Sequence, residues 1–268
     1  MTETVLQPLG VEVTDLDLAD PAQVTTEAVA RLRHLLAEHG VVVVPGQQHL
    51  DDAAFVAVLH AFGDLMPSPG EIPVDDLHEL NVISNVGRTT PPRSTFHVDT
   101  SYVSQPPAYT ALRAVTIPHE GGETLFSNQY RALETLDPQL RARVDGRTIE
   151  HVVTGVELGP DDEGSARHPV VRPHPLSHRD ALYLTTAARC ADVSGLEPGE
   201  ARELVDLLLE HSTRPDNVYR HVWSPGDVVI WDNGCVLHRA DHAGVVGDRV
   251  MHRGMVAGYG PAAPPDGS

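Results

Sequence analysis

The chain has 268 residues, 41% of them apolar, and a formal net charge of −19 at pH 7. That length suits one large domain or two small ones with a sizeable core, and the summed negative field argues against nucleic acid and anionic membrane as partners. All 19 basic residues are arginine, which removes Schiff-base lysine and phosphate-loop lysine chemistry. GC-rich coding is the plainer explanation of the bias, but any anionic ligand must still be held by arginines. No apolar run is long enough to span a membrane, and "MTETVLQPLG" lacks the basic and apolar regions of a secretory signal. Cys190 and Cys235 lie far apart, without paired-cysteine zinc spacing. A cytoplasmic location is expected, and the acidic surface does not exclude a homo-oligomer.

Residues 21–38 read as a helix, with Val29, Leu32, Leu35 and Leu36 at helical spacing and Gly40 as the stop. "VVVVPGQ" follows as a buried strand, and "LDDAAFVAVLHAFGDL" as a second helix capped by Asp51 or Asp52. Residues 64–80, rich in Pro, Gly and acid, read as a surface loop. Short β-type runs then dominate: "NVISNV", "AYTALRAV", "ETLFS", "TIEHVV", "PVVRPH" and "ALYLTT". "EPGEARELVDLLLEHS" interrupts them as an amphipathic helix, and "VYRHVW", "GDVVIWDN", "CVLHRA" and "RVMHRGMVAG" resume the β pattern. Strands and helices do not alternate, so the expected class is mainly β with flanking helices, a jelly roll. Residues 1–259 are expected to form one domain and 260–268 a disordered tail.

In "STFHVDTSY", His97 and Asp99 sit two apart, so on a strand both face the same side. Two readings stand. One is a hydrogen-bonded pair at a strand edge. The other is a pair of ligands to a divalent metal, since two His and one carboxylate form the facial triad of non-haem Fe(II) oxygenases. The C-terminal block "WSPGDVVIWDNGCVLHRADHAGVVGDRVMHRGMV" adds His238 on a strand, then Arg249, Met251 and Arg253 in alternation. The two arginines either point into water or face the interior, where they need anions. His238 and His242 are four apart, as on a zincin helix, but Arg239 stands in place of the Glu and a strand is expected there. His119, His174, His178, His221 and His252 read as surface or supporting residues. Trp223 and Trp231 read as core, and Asp232 and Asn233 as shaping the turn before His238.

The segments "GVVVVPGQ", "FGDL", "FHVDTSYVSQPPAYTALRAVTIPHEGGETLFSN", "HPVVRPHPLSHRDALYL" and "WSPGDVVIWDNGCVLHRADH…RVMHR" together resemble the TauD/TfdA family, that is, the taurine and 2,4-dichlorophenoxyacetate dioxygenases. They occur in that family's order across roughly residues 38–255. The resemblance implies a double-stranded β-helix and an oxidoreductase dependent on Fe(II), 2-oxoglutarate and O2. It implies His97, Asp99 and His238 as iron ligands, Thr124 and Arg249 as the grip on the distal carboxylate of 2-oxoglutarate, and Arg253 as the contact to an anionic substrate. Phe96 stands where the family often has Trp. Arg93 stands where taurine enzymes have an Asn that helps bind substrate, so it is expected to meet a different or more strongly anionic substrate. The implied reaction oxidises a C–H bond of a small anionic molecule, with release of succinate and CO2. Residues 64–95 are the expected substrate-facing loop. The alternatives are a halogenase or desaturase variant of this chemistry, or a non-catalytic jelly roll that binds a small anion. Asp99 argues against the halogenase, which needs a vacancy there. The filled triad and Arg249 argue against the non-catalytic protein.

Overall fold

The structure, a computed structural model, describes residues 1–66, 71–88, 94–155, 158–160 and 162–259. The expected tail at 260–268 and Arg93 lie outside the described residues.

The four valines of Val41–Val44 are all buried. Val42 and Val44 pack with Leu32, Leu35, Leu36 and Phe55, while Val41 and Val43 pack with Leu112, Phe126 and Trp231. An unbroken apolar run is what a strand covered on both faces requires. The cover on one side is the helices Thr26–His39 and Asp52–Phe62, each started by a side-chain cap, Thr25 to Ala28 and Asp51 to Ala54. The first helix stops at Gly40, whose φ is +74° and whose N–H donates to the Leu36 carbonyl. A Cβ there would lie 2.7 Å from Val236 and 2.9 Å from Leu9, so only glycine fits. Each leucine sealed under these helices contributes about 1.5–3 kcal/mol.

Val41–Val44 belongs to an eight-stranded sheet. From edge to edge it runs Thr2–Val5, Val11–Thr14, Val41–Val44, Val228–Asp232, Pro107–Thr116, Val250–Ala257, Leu77–Ser84 and Pro73–Val74. A three-stranded sheet, Val218–His221, Thr124–Asn128 and Val236–Ala240, lies against its inner face. A further three-stranded sheet, Cys190–Val193, Thr148–Val152 and Ser165–Pro169, is backed by helix Pro198–Ser212 through Leu204, Val205 and Leu208. The whole is a jelly roll with flanking helices, as the β-rich pattern predicts. Among the described residues no helix is long and apolar enough to cross a membrane.

The main departure concerns residues 94–102. They are not a strand. Only His97 pairs, in an isolated bridge with His238, and Asp99 lies at the start of a turn whose next residue, Thr100, has φ +46°. The two side chains still share a side, because Val98 between them is buried in the core under the Pro198–Ser212 helix. The sequence pattern also misses the N-terminal hairpin, the strand Cys190–Val193 and the short helices Gln129–Glu134 and Pro138–Val144, and the expected surface loop at 64–80 is corrected in part by Pro73–Val74 pairing with Leu77–Ser84.

Candidate active site

The opening between the two inner sheets is a cavity of about 240 Å3. His238 is placed by register. It sits opposite Phe126, and two residues on, Ala240 sits opposite Thr124. Residues two apart share a sheet face, so Thr124, His238 and Ala240 all line the cavity. His97 joins them through the bridge, in which each backbone N–H donates to the other residue's carbonyl at 3.0 Å.

Three ligand-type side chains converge here. His97 Nε2 lies 3.6 Å from Asp99 Oδ1, and His238 Nε2 lies 3.6 Å from Asp99 Oδ2. All three donor atoms fall within 4.8 Å of one another. These separations are too long for hydrogen bonds and short enough for one ion to touch every donor. His97 Nδ1 is 2.8 Å from the Thr95 carbonyl, so the proton sits on Nδ1 and Nε2 presents a lone pair to the cluster. Burial pushes the His238 imidazole down to about 3, so it is neutral. Its Nδ1 is buried without a partner. Its Nε2, turned toward Asp99 at a distance too long for a hydrogen bond, is the nitrogen left for an ion. Burial works to raise the Asp99 carboxyl, but the facing imidazoles of His238 and His97 and the Arg253 guanidinium outweigh it and hold it well below the usual carboxylate range. Asp99 Oδ2 accepts a 2.8 Å hydrogen bond from Thr110, whose oxygen in turn accepts one from Asn233 at 2.9 Å. Two imidazoles and a fixed carboxylate suit a divalent first-row metal.

A second cluster, His174, Asp232 and Cys235, is as compact but differs in one respect. His174 Nδ1 accepts from the Leu176 and Ser177 amides, and Nε2 donates to Asp232 at 3.0 Å. The other Asp232 oxygen accepts from Tyr259 and Gly234. Both nitrogens of the histidine and both oxygens of the carboxylate are hydrogen-bonded within the fold, so this is a structural network. It corrects the expectation that His174 is a surface or supporting histidine of the site. Asp232 does shape the expected turn, while Asn233 also reaches the site by way of Thr110.

Arg249 turns inward and is 2% exposed. Its Nε donates to the Gly122 carbonyl at 2.8 Å, its Nη2 to Thr124 at 3.3 Å, and its backbone N–H to Asn85 at 2.7 Å. Gly122 permits the approach, because a Cβ there would sit 3.0 Å from Arg249 Cδ. Among the described residues no carboxylate pairs with Arg249, and burial lowers its guanidinium to about 10. Trp223 donates to Thr124 at 3.1 Å and lies beneath the guanidinium, 5.9 Å away. It therefore supports the site as well as the core. Trp231 does the same, with its ring 4.4 Å from that of His238.

Arg253 also lines the cavity. Its Nη2 is 3.5 Å from Glu71 and its Nη1 is 3.7 Å from Asp99. Glu71, Ser84 and Arg88, from the expected substrate-facing loop, and His242 complete the polar lining. No motif marks them, and only the general expectation for residues 64–95 points toward the first three.

Residues 2–255 match the family described as taurine catabolism dioxygenase TauD, TfdA family. The chain is 31% identical to the α-ketoglutarate-dependent 2,4-dichlorophenoxyacetate dioxygenase of Cupriavidus pinatubonensis, over 92% of this chain and 94% of that one. It is 28% identical to the α-ketoglutarate-dependent sulfate ester dioxygenase of Pseudomonas putida, over 94% and 88%. Among solved structures, a taurine dioxygenase from Burkholderia xenovorans superposes with a TM-score of 0.80 at 33% identity, covering 100% of this chain and 94% of that one. AAD-2, solved with Mn(II) and N-oxalylglycine, superposes with a TM-score of 0.81 at 26% identity, covering 98% and 99%. With the same jelly roll and a match along nearly its whole length, the chain belongs to the TauD/TfdA family of dioxygenases.

Proposed function

We propose that this dioxygenase holds Fe(II) on His97, Asp99 and His238 and binds 2-oxoglutarate through Arg249 and Thr124. On this reading it oxidises a C–H bond of a small anionic substrate held by Arg253, with O2 as oxidant and succinate and CO2 as coproducts. The observation that carries the reading is Arg249, a buried cation without a carboxylate partner among the described residues, in the same cavity as the two imidazoles. A buried charge of this kind calls for a counter-charge, and a ligand with a carboxylate at its far end supplies it.

The iron, when bound, supplies the redox chemistry with dioxygen. The rest falls to this chain. The Arg249 guanidinium offers a planar fork to a carboxylate. Thr124 Oγ1 accepts from both Trp223 and Arg249, which leaves its hydroxyl proton to donate to the same ligand. Thr110 and Asn233 fix the rotamer of Asp99, and the Thr95 carbonyl fixes the tautomer of His97. Phe126 and Trp231 pack against the His238 ring and exclude water from its buried side. Arg253, between the metal ligands and the cavity mouth, sets where a substrate anion rests. Arg93, ahead of His97 in the chain, remains a proposed second contact.

Succinate formation tests the reading. The purified protein should release succinate from 2-oxoglutarate only when Fe(II) is supplied, and substrate should accelerate it. Succinate release that is indifferent to iron, or unaltered in Arg249→Ala, would sink the proposal.

A further inference from the structure

Residues 98–104 follow the first histidine of the cluster and yet, among the described residues, pair with no strand. Thr110 holds the Asp99 carboxylate, but the backbone that aims it turns through Thr100 at φ +46°. That region suits glycine, asparagine or aspartate, and a β-branched residue is strained there. Left to itself, Thr100 would relax to negative φ and rotate the peptide that joins it to Asp99. Within the turn, the Val103 N–H donates to the Thr100 carbonyl at 3.3 Å. A bond of that length is weak, so a firm hold must come from another part of the chain.

His168 provides it. This residue is 6% exposed and lies on the strand Ser165–Pro169, opposite Ile149. Its Nε2 is 2.9 Å from the Ser101 carbonyl and 3.1 Å from the Val103 carbonyl. Carbonyls only accept, so Nε2 carries the proton, and one N–H serves both carbonyls of the turn. The ring is packed edge-on between those of His151 and Tyr183, with centroids 5.1 Å and 5.2 Å away. Glu163, two residues before the same strand, accepts from the Ser104 N–H and hydroxyl at 2.8 Å and 2.9 Å. Those two bonds are exposed and compete with water, whereas the His168 bond to Ser101 is buried.

We infer that His168 is a positioning residue for the metal centre: its buried N–H holds the strained turn after Asp99 and so keeps that carboxylate aimed at the ion. The inference rests on the reading of Asp99 as a metal ligand and adds to it the residue that fixes its backbone. Without the N–H, the turn relaxes in a fraction of the molecules, and the apparent metal affinity falls by that fraction.

The test titrates the metal-free protein with Fe(II), and with Co(II) as a coloured stand-in, by anaerobic calorimetry. The central pair is His168→Gln and His168→Met. Both lose the ring and have similar length, and only glutamine keeps an N–H donor near the place of Nε2. The methionine variant should bind either metal about tenfold more weakly than the glutamine variant, a difference of about 1.4 kcal/mol or one hydrogen bond. Its Co(II) visible spectrum should depart from that of the wild type, and the glutamine variant should keep it. Thr100→Gly relieves the strain, so in that background the two variants should differ by about twofold or less. Equal metal affinity of the glutamine and methionine variants overturns the inference. So does a tenfold difference that persists in the Thr100→Gly background, because His168 then supports the fold without holding a strained turn. If the methionine variant does not fold, His168→Asn takes its place, since its amide nitrogen stands where Nδ1 stands and does not reach the carbonyls. Asp99→Ala separates the inference from the reading beneath it. If Asp99→Ala binds metal like the wild type, Asp99 is not a ligand and both fall. If Asp99→Ala loses metal and His168→Met does not, the reading stands and the inference alone falls.

Discussion

At one end of the cavity Arg249 is 2% exposed and fixed by Gly122, Thr124 and Asn85; at the other, Arg253 faces Glu71, whose side chain is 37% exposed. The first arginine has no carboxylate partner among the described residues, and the second has two nearby. On the proposed reading the buried end is thus preorganised for the cosubstrate. The exposed end keeps its charge compensated until a substrate arrives. One family can then keep its cosubstrate grip on paired strands and change its substrate through loops, where few contacts constrain the sequence.

Seven substitutions can break or sharpen this contrast, and the largest effects lie at the proposed metal cluster that both ends share. His97→Ala, Asp99→Ala and His238→Ala should each abolish turnover. They should also remove the stabilisation that Fe(II) gives the wild type, about 2.7 kcal/mol when the metal is a hundredfold above its Kd. Anaerobic thermal melts with and without iron read this directly. His242→Ala should keep both turnover and iron stabilisation, and the opposite pattern would make His242 the third ligand.

Next in size is Arg249→Ala. Loss of a buried charged partner costs about 2–5 kcal/mol, so the KM for 2-oxoglutarate should rise by roughly tens to thousands of fold. An unchanged 2-oxoglutarate affinity would remove the basis for calling this end the cosubstrate end. Arg253→Ala should cost less, about 1.5–3 kcal/mol for charged hydrogen bonds in a partly open site. The cost should fall on substrate KM, with 2-oxoglutarate affinity in the absence of substrate near wild type. If only 2-oxoglutarate binding weakens, the two arginines serve one ligand and the contrast collapses. Smallest is Thr124→Val, which removes one hydroxyl from the grip at a cost of about 1 kcal/mol. Titration with 2-oxoglutarate should show a severalfold weaker Kd.

Much of this is legible in the sequence, for identifiable reasons. The valine run, the alternating strands and the amphipathic helix are local patterns, and local periodicity survives folding. The helices Gln129–Glu134 and Pro138–Val144 have six and seven residues, too few for a helical period to stand out. The N-terminal strand Thr2–Val5 is exposed at every position, so no apolar alternation announces it. At the site, the spacing of His97 and Asp99 points to a shared face, although a bridge and a turn create that face where a strand was expected. His238 is identified only by the joint resemblance of distant segments, because strand pairing across the chain leaves no local trace. Glu71 is invisible for the same reason. Nothing around it in sequence indicates that it will meet Arg253.

The single bridge between His97 and His238 has a further consequence. Among the described residues it is all the strand pairing that residues 94–102 have, with one pair of backbone bonds joining them to the sheet. An ion shared by those two imidazoles would therefore act as a removable cross-link between distant points of the chain. Closing so long a loop restricts the unfolded ensemble much as a disulfide does. The supply of metal in the cell would then govern how long each molecule survives proteolysis, as well as how fast it turns over.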